Sequence, residues 1–271
     1  MELFDGLLDN EALVQRPQPH LPPVVAEHRE LRAAFGNLLA TLVVPDTQLT
    51  EVSRQVPAGV SVPVSVITSG GAGGLLALAR RDIPGVEIVS AEPVLRDLDD
   101  LAGSAARVVS AAAELGPDVA VYVDLPHAPG WAAAVEVVEA GSLYAKISAG
   151  QADVRQRMEQ LSILIEADLP FKITMQLGDG CLALLTAVQA LVDGASLDEA
   201  AQLLQHPHHD RIGSIVSAWD QATQARVRHR VRRMGTDRMQ EMINELRPHG
   251  VLSAPEGQST EGSEVAPPPT N

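Results

Sequence analysis

The sequence predicts an α/β protein, a parallel (β/α) barrel whose end is left open between complete and incomplete or distorted, with an open doubly wound parallel sheet as the alternative. Three observations predict it. Short β-branched runs alternate with longer Ala- and Leu-rich runs, the pattern of a parallel sheet covered by helices. The strand-like runs start roughly 22 to 33 residues apart, the length of one βα repeat. Apolar residues make up 45% of the 271-residue chain and aromatics only 3%, so the core is aliphatic and large enough for one sizeable domain.

The strand-like runs are Leu42–Pro45, Val64–Ser69, Val86–Ala91, Val119–Leu125, Tyr144–Ala149 and Phe171–Leu177. Each is rich in Val or Ile, or alternates in polarity. Between them, Leu75–Arg81 follows a Gly-rich turn, and Leu101–Leu115 is Ala-rich. Trp131–Ala140 and Val154–Ala167 carry apolar residues at helical spacing. Leu182–Val192 and Leu197–Leu204 continue as helices. Beyond them the pattern weakens. Ile212–Trp219 and Val227–Met234 are candidate late strands, the second of them Arg-rich. Six βα units are clear and one or two are degenerate, whereas a full eight-unit barrel takes about 250 residues.

The two ends read differently. Residues 1–24 hold Pro17, Pro19, Pro22 and Pro23 and are expected to form an arm, with the barrel-like domain over 25–252. Residues 253–271 are rich in Ser, Glu, Gly and Pro and are expected to form a disordered tail, because such a segment buries too little to offset its ordering entropy. The start, Met1-Glu2-Leu3-Phe4-Asp5, lacks the basic and apolar regions of a signal peptide. One cysteine, Cys181, precludes an internal disulfide framework, and the cytosol is the expected compartment. The formal net charge is −15, which repels phosphate backbones and anionic lipid, so neither nucleic acid nor membrane is an expected partner.

The candidate site centres on two lysines. The chain has 20 Lys and Arg residues, and the only lysines are Lys146 and Lys172. They occupy matching positions in Lys146-Ile147-Ser148 and Lys172-Ile173-Thr174, one βα repeat apart. Side chains alternate faces along a strand, so Tyr144, Lys146 and Ser148 share one face, and Lys172, Thr174 and Gln176 share another. Neighbouring parallel strands lie about 4.8 Å apart, which brings two ammoniums together in a barrel lumen. That arrangement needs a counter-charge. Asp124, which shares a face with Tyr122, and Glu92 lie near C-terminal strand ends, where barrel active sites are built. Crowded ammoniums also depress each other's pKa, which would give a nucleophilic lysine or a proton acceptor. The alternative is that both are solvated strand-edge lysines in an Arg-biased chain.

Other features weigh less. Ser69-Gly70-Gly71-Ala72-Gly73-Gly74 opens a helix and offers amides to an anion or simply makes a tight turn, and it lacks the spacing of a dinucleotide or P-loop motif. Cys181 opens the next helix, where a thiol pKa can drop, but a lone cysteine is more often a packing residue. Asp179 is expected to cap that helix. His127 follows Asp124 and is a candidate acid or base at the mouth. His206-Pro207-His208-His209-Asp210 suggests metal only weakly, and no metal or cofactor is expected.

Lys146-Ile147-Ser148-Ala149-Gly150 and Pro170-Phe171-Lys172-Ile173-Thr174-Met175-Gln176-Leu177 resemble motifs of a bacterial, largely actinobacterial, family with a barrel-like α/β fold and no known activity. Met234-Gly235-Thr236 through Leu246-Arg247-Pro248-His249-Gly250-Val251-Leu252 resembles its closing segment. The resemblance runs from Val86 to about Leu252 and implies that both lysines belong to a recurrent site. Two departures stand out. Ser148 replaces an Arg, and Gly178-Asp179 replaces a His-His pair. The function expected is that of a lyase- or isomerase-type enzyme on a small anionic carbonyl compound, phosphorylated or carboxylated. Lys146, Lys172 and Asp124 would be catalytic, and Ser148, Thr174, Glu92, Tyr122 and Gln176 would bind ligand. The alternative is a non-catalytic relative that binds a metabolite or a protein. A homo-oligomer is compatible with either.

Overall fold

Eight short parallel strands close on themselves in chain order in the computed structural model, each hydrogen-bonded to the next and the last to the first. The structure describes residues 2–249 apart from 18, 149–152, 176–177 and 206–208. Gln176, His206 to His208 and the tail from 253 onward therefore lie outside the described residues.

The order is β1 (Leu8–Asn10), α1 (Ala12–Gln15), α2 (Leu21–Phe35), β2 (Leu39–Pro45), α3 (Leu49–Gln55), β3 (Val62–Thr68), α4 (Gly71–Leu78), β4 (Val86–Pro93) and α5 (Leu101–Ala112). It continues with β5 (Ala120–Asp124), α6 (Trp131–Ala140), β6 (Tyr144–Ile147), α7 (Val154–Glu166), β7 (Phe171–Thr174) and α8 (Cys181–Val192). Then come α9 (Leu197–Gln205), α10 (His209–Ser217), α11 (Gln221–Arg230), β8 (Val231–Thr236) and α12 (Met239–Leu246).

The parallel (β/α) barrel that the sequence predicts is present, and its end, which the sequence leaves open, is complete. Two sequence signals misled. Leu8–Asn10 is only three residues long and is followed by prolines, so it was read into an arm, yet it pairs with both β2 and β8. Pro22 and Pro23 do not break α2 either, because they sit in its first turn, where a missing N–H costs nothing. Ile212–Trp219 is largely helical, since Ile212 and Val216 are buried one turn apart on α10. The final strand is the second half of the Arg-rich run, after Val227 has packed the end of α11.

Local chemistry explains several helix starts. Asp100, Asp153 and Asp220 each accept a backbone N–H three residues on, at 2.9, 2.8 and 2.7 Å. Ser196 and Glu199 form a reciprocal capping box before α9. The outward faces of the strands, such as Leu42, Val44, Val64, Val66, Ala145, Ile147, Phe171 and Ile173, are buried in one apolar cluster with the helices. The alternate positions point into the lumen and are mostly polar, which sets up the site.

One buried group stands apart from this pattern. His28 on α2 is fully buried, and neither ring nitrogen is hydrogen-bonded among the described residues. Burial, with the nearby Arg32, lowers its pKa from 6.5 to about 4. The unfolded chain takes up the proton first, so stability is highest above pH 6.5 and is lost as pH falls toward 4. The shift is equivalent to about 3 kcal/mol. Urea unfolding from pH 7 to pH 4 should show this loss in the wild type and a shallower one in His28→Leu.

Candidate active site

The lumen holds a chain of charges of alternating sign that runs Asp9, Lys172, Glu92, Lys146, Asp124. Its residues come from β1, β7, β4, β6 and β5, so the order of the charges is set by the barrel cross-section and not by the sequence. Register brings the cations together: Lys146 pairs with Lys172, Asp124 with Lys146, and Lys172 with Arg233 of β8.

Lys172 is fully buried and ringed by carboxylates. Its Nζ donates to Asp9 Oδ2 at 2.8 Å and to Glu92 Oε1 at 2.7 Å, and it is ion-paired with Glu11 Oε1 at 3.2 Å. The surrounding hydroxyls fix those carboxylates. Thr41 donates to Asp9 at 2.6 Å, Ser65 donates to Glu92, Ser90 donates to Ser65 at 2.7 Å, and Thr174 donates to Glu11 at 3.3 Å. Glu11 reaches Lys172 past Gly235, where a Cβ would fall inside the Glu11 carboxylate. A glycine is therefore required at that point of β8.

Lys146 is held differently. Its one short hydrogen bond runs to Glu92 Oε2 at 2.6 Å, and Asp124 Oδ2 is 4.0 Å away. Among the described residues two of its N–H bonds have no hydrogen-bond acceptor. Asp124 in turn accepts from Ser148 Oγ at 2.6 Å and its side chain is 15% exposed, the most open group of the chain. Lys146 and Asp124 thus form the outer end, facing the C-terminal mouth, while Lys172 is the inner anchor.

The electrostatics correct one expectation. The two lysines were expected to depress each other's pKa. Burial does push both down, but the carboxylates around them outweigh it, and both stand above the usual lysine value. Both are ammoniums, and a neutral nucleophilic lysine is not what this lumen favours. The carboxylates divide. Burial would raise Glu92, but Lys146 and Lys172 bring it from 4.5 down to about 2. For Asp124 burial wins over Lys146 and Ser148, and its pKa is raised. Two carboxyls flanking one ammonium with pKa values pushed apart is the usual arrangement for assigning acid and base roles.

The lumen gathers Lys146, Lys172, Asp124, Glu92, Ser148, Thr174 and Tyr122. Tyr122 is buried against Tyr144, with ring centroids 5.2 Å apart, and burial raises its phenol pKa. Sequence reasoning missed Asp9, Glu11 and Arg233. The signal was faint: Asp9 and Glu11 repeat the two-residue spacing of Lys172 and Thr174, but on and just after a strand too short to show a period of its own.

The lesser candidates fall elsewhere. His127 is exposed in the loop after β5. Asp179 does not cap α8; it takes both guanidinium nitrogens of the buried Arg157, at 2.6 and 2.8 Å, and so ties α7 to the loop after β7. Glu245 supplies the cap, accepting from Cys181 N and Leu182 N at 3.0 Å each. Cys181 is fully buried, and burial, aided by Glu245, pushes its thiol well up, so it is a packing residue. Ser69 and Gly70 form a tight turn into α4, whose first residue, Gly71, has φ +53° and whose Gly74 lies against Thr68. Among the described residues no cluster of three or more His, Cys, Asp or Glu side chains could hold a metal, and no helix is long and apolar enough to cross a membrane.

No family model and no curated protein matches the chain. Among solved structures, the UMP synthase of Leishmania donovani is similar, with a TM-score of 0.42 and 18% identity over 66% of this chain and 43% of that one. The chain spans less than half the length of that protein.

The two lysines should separate in stability. Lys172→Met leaves three carboxylates gathered without their cation and should cost about 3–5 kcal/mol. Lys146→Met leaves Glu92 still paired with Lys172 and Ser65 and should cost clearly less. Denaturant unfolding of both variants at pH 7 checks the order.

Proposed function

We propose that the protein is an enzyme of lyase or isomerase type that moves a proton at carbon on a small anionic carbonyl compound. The observation that supports this is the asymmetry of the charge chain: an inner lysine closely ion-paired with three carboxylates, and an outer lysine with one short hydrogen bond beside a carboxyl of raised pKa. Lys146 contacts the substrate. Its ammonium is held by Glu92 and directs its remaining N–H bonds to the carbonyl oxygen and to a neighbouring carboxylate or phosphate oxygen. Asp124 is the base. Its ionised form takes the proton from the carbon next to the carbonyl, and the charge that develops on the oxygen meets the Lys146 ammonium in a lumen shielded from water. Ser148 orients Asp124 and Thr174 lies beside it in the ligand-facing layer. Lys172, with Asp9 and Glu11, positions Glu92 and through it Lys146. Tyr122 closes the lumen below.

This differs from a simple anion hole. The lysines are largely neutralised by their own carboxylates, so the site stabilises charge that appears during reaction better than charge already present.

A second reading has its own support. Lys172 is fully buried and ion-paired with three carboxylates, as in a purely structural network, and that fits a non-catalytic relative that binds a metabolite or a partner protein.

Deuterium decides between them. The protein is incubated in D2O with pooled 2-oxo and 3-oxo carboxylates and sugar phosphates, and mass spectrometry follows deuterium gained at carbon. Incorporation should occur with the wild type and fall at least about 100-fold in Lys146→Met and in Asp124→Asn, the scale of losing an acid–base group. Its rate should decline as pH drops through the pKa of Asp124, which burial raises above the usual aspartate value. Absence of incorporation and of any new product across the pools supports the binding protein instead.

A further inference from the structure

The opposite end of the barrel carries a second, separate concentration of charge. A cavity of about 440 Å3 opens where the 3-10 turn Glu2–Phe4 meets α11 and the start of β8, at the N-terminal ends of the strands. It is lined by Leu3, Gln221, Gln224, Arg228, His229 and Arg232. A volume of a few hundred Å3 suits a small metabolite.

The arginines there are not equivalent. Arg228 gives its Nη groups to backbone carbonyls, among them Arg232 O at 2.6 Å and Asp5 O at 2.9 Å. It is fixed in place and contributes charge more than free donors. Arg233 is similarly spent on Gly6 O at 2.6 Å. The Arg232 side chain makes no hydrogen bond or ion pair among the described residues, and its guanidinium lies 5.7 Å from the centre of the Tyr144 ring. A ring face supports a guanidinium but leaves its in-plane N–H bonds open. The carboxylates nearby are already engaged: Asp5 acts weakly on Arg228, Asp9 lies 3.9 Å from Arg233 Nε but is held by Lys172, and Asp168 is taken by His229, at 3.3 Å, and by Arg230. Burial and the two neighbouring guanidiniums lower Arg228 to about 10, so positive charge here is under-compensated. This is notable in a chain of net charge −15.

Like charges gathered around a cavity are costly unless an anion joins them. The planar guanidinium of Arg232, preset on Tyr144, matches the oxygens of a phosphate group. We propose that this cavity binds a small phosphate-bearing anion, with Arg232 as its main contact, His229 and the amide of Gln221 beside it, and Arg228 supplying the field. The site is independent of the lysine chain and holds whether or not the lumen is catalytic.

Inorganic pyrophosphate is the probe, at constant ionic strength. It should raise the melting temperature of the wild type by roughly 2–4 °C at about ten times its Kd. The rise should vanish in Arg232→Gln and persist in Lys146→Met. Because Arg232→Gln could also disturb the barrel floor, a second measurement uses the unaltered chain. Arginine modification by phenylglyoxal, mapped by peptide mass spectrometry, should slow several-fold at Arg232 when pyrophosphate is present. No thermal shift in the wild type, an equal shift in Arg232→Gln, loss of the shift in Lys146→Met, or no protection of Arg232 would each overturn the proposal.

Discussion

Two ammoniums cannot sit in a closed barrel without carboxylates to meet them, and that constraint organises the lumen. Removing an ion from water costs several kcal/mol, and only close, well-directed counter-charges recover it. Here four carboxylates face Lys146, Lys172 and the nearby Arg233, whose Nε is 3.9 Å from Asp9. Each inner carboxylate is in turn fixed by a hydroxyl from the same or a neighbouring strand. The small polar residues on the inward faces, Thr41, Ser65, Ser90 and Thr174, are there because anything larger or apolar would strand an oxygen. The requirement for glycine at position 235 follows from the same crowding.

The constraint also explains why the network is uneven. At its inner end Lys172 has three carboxylates within 3.2 Å. At its outer end the match is looser: among the described residues Lys146 has more N–H bonds than acceptors, and Asp124 has lost more solvation than its neighbours restore. Incomplete pairing costs stability, and in the lysine network it is greatest where the lumen meets its mouth. A site and its foundation are made from the same kind of residue and differ only in how fully they are satisfied.

Much of this was legible in the sequence, and what was not has physical reasons. The repeat of β-branched and Ala-rich runs gave six strands, and the matching places of Lys146 and Lys172 gave the heart of the site. Period-two alternation put Asp124, Ser148 and Thr174 on the right face. Asp9 and Glu11 escaped because a three-residue strand has no periodicity to detect and its helix begins with prolines. Ile212 and Val216 suggested a strand because two apolar residues four apart fit several patterns in a short window. The lysine pKa direction was misjudged because a sequence shows which charges are near along the chain, whereas the balance in the lumen is set by carboxylates brought in from distant strands.

The partners of Lys172 carry a further consequence, for folding. Asp9 and Glu11 lie 163 and 161 residues before it, on the first strand and just after it. During synthesis those two acids emerge early and wait, solvated, until most of the barrel exists. Contacts of such long range close slowly, because the loop entropy is lost before the contact forms. The ammonium of Lys172 gains its full set of counter-ions only when β1 docks against β2 and β8. A chain whose last stave has not yet arrived therefore still holds its central charge in water, and closure of the ring and dehydration of the lumen become one cooperative event.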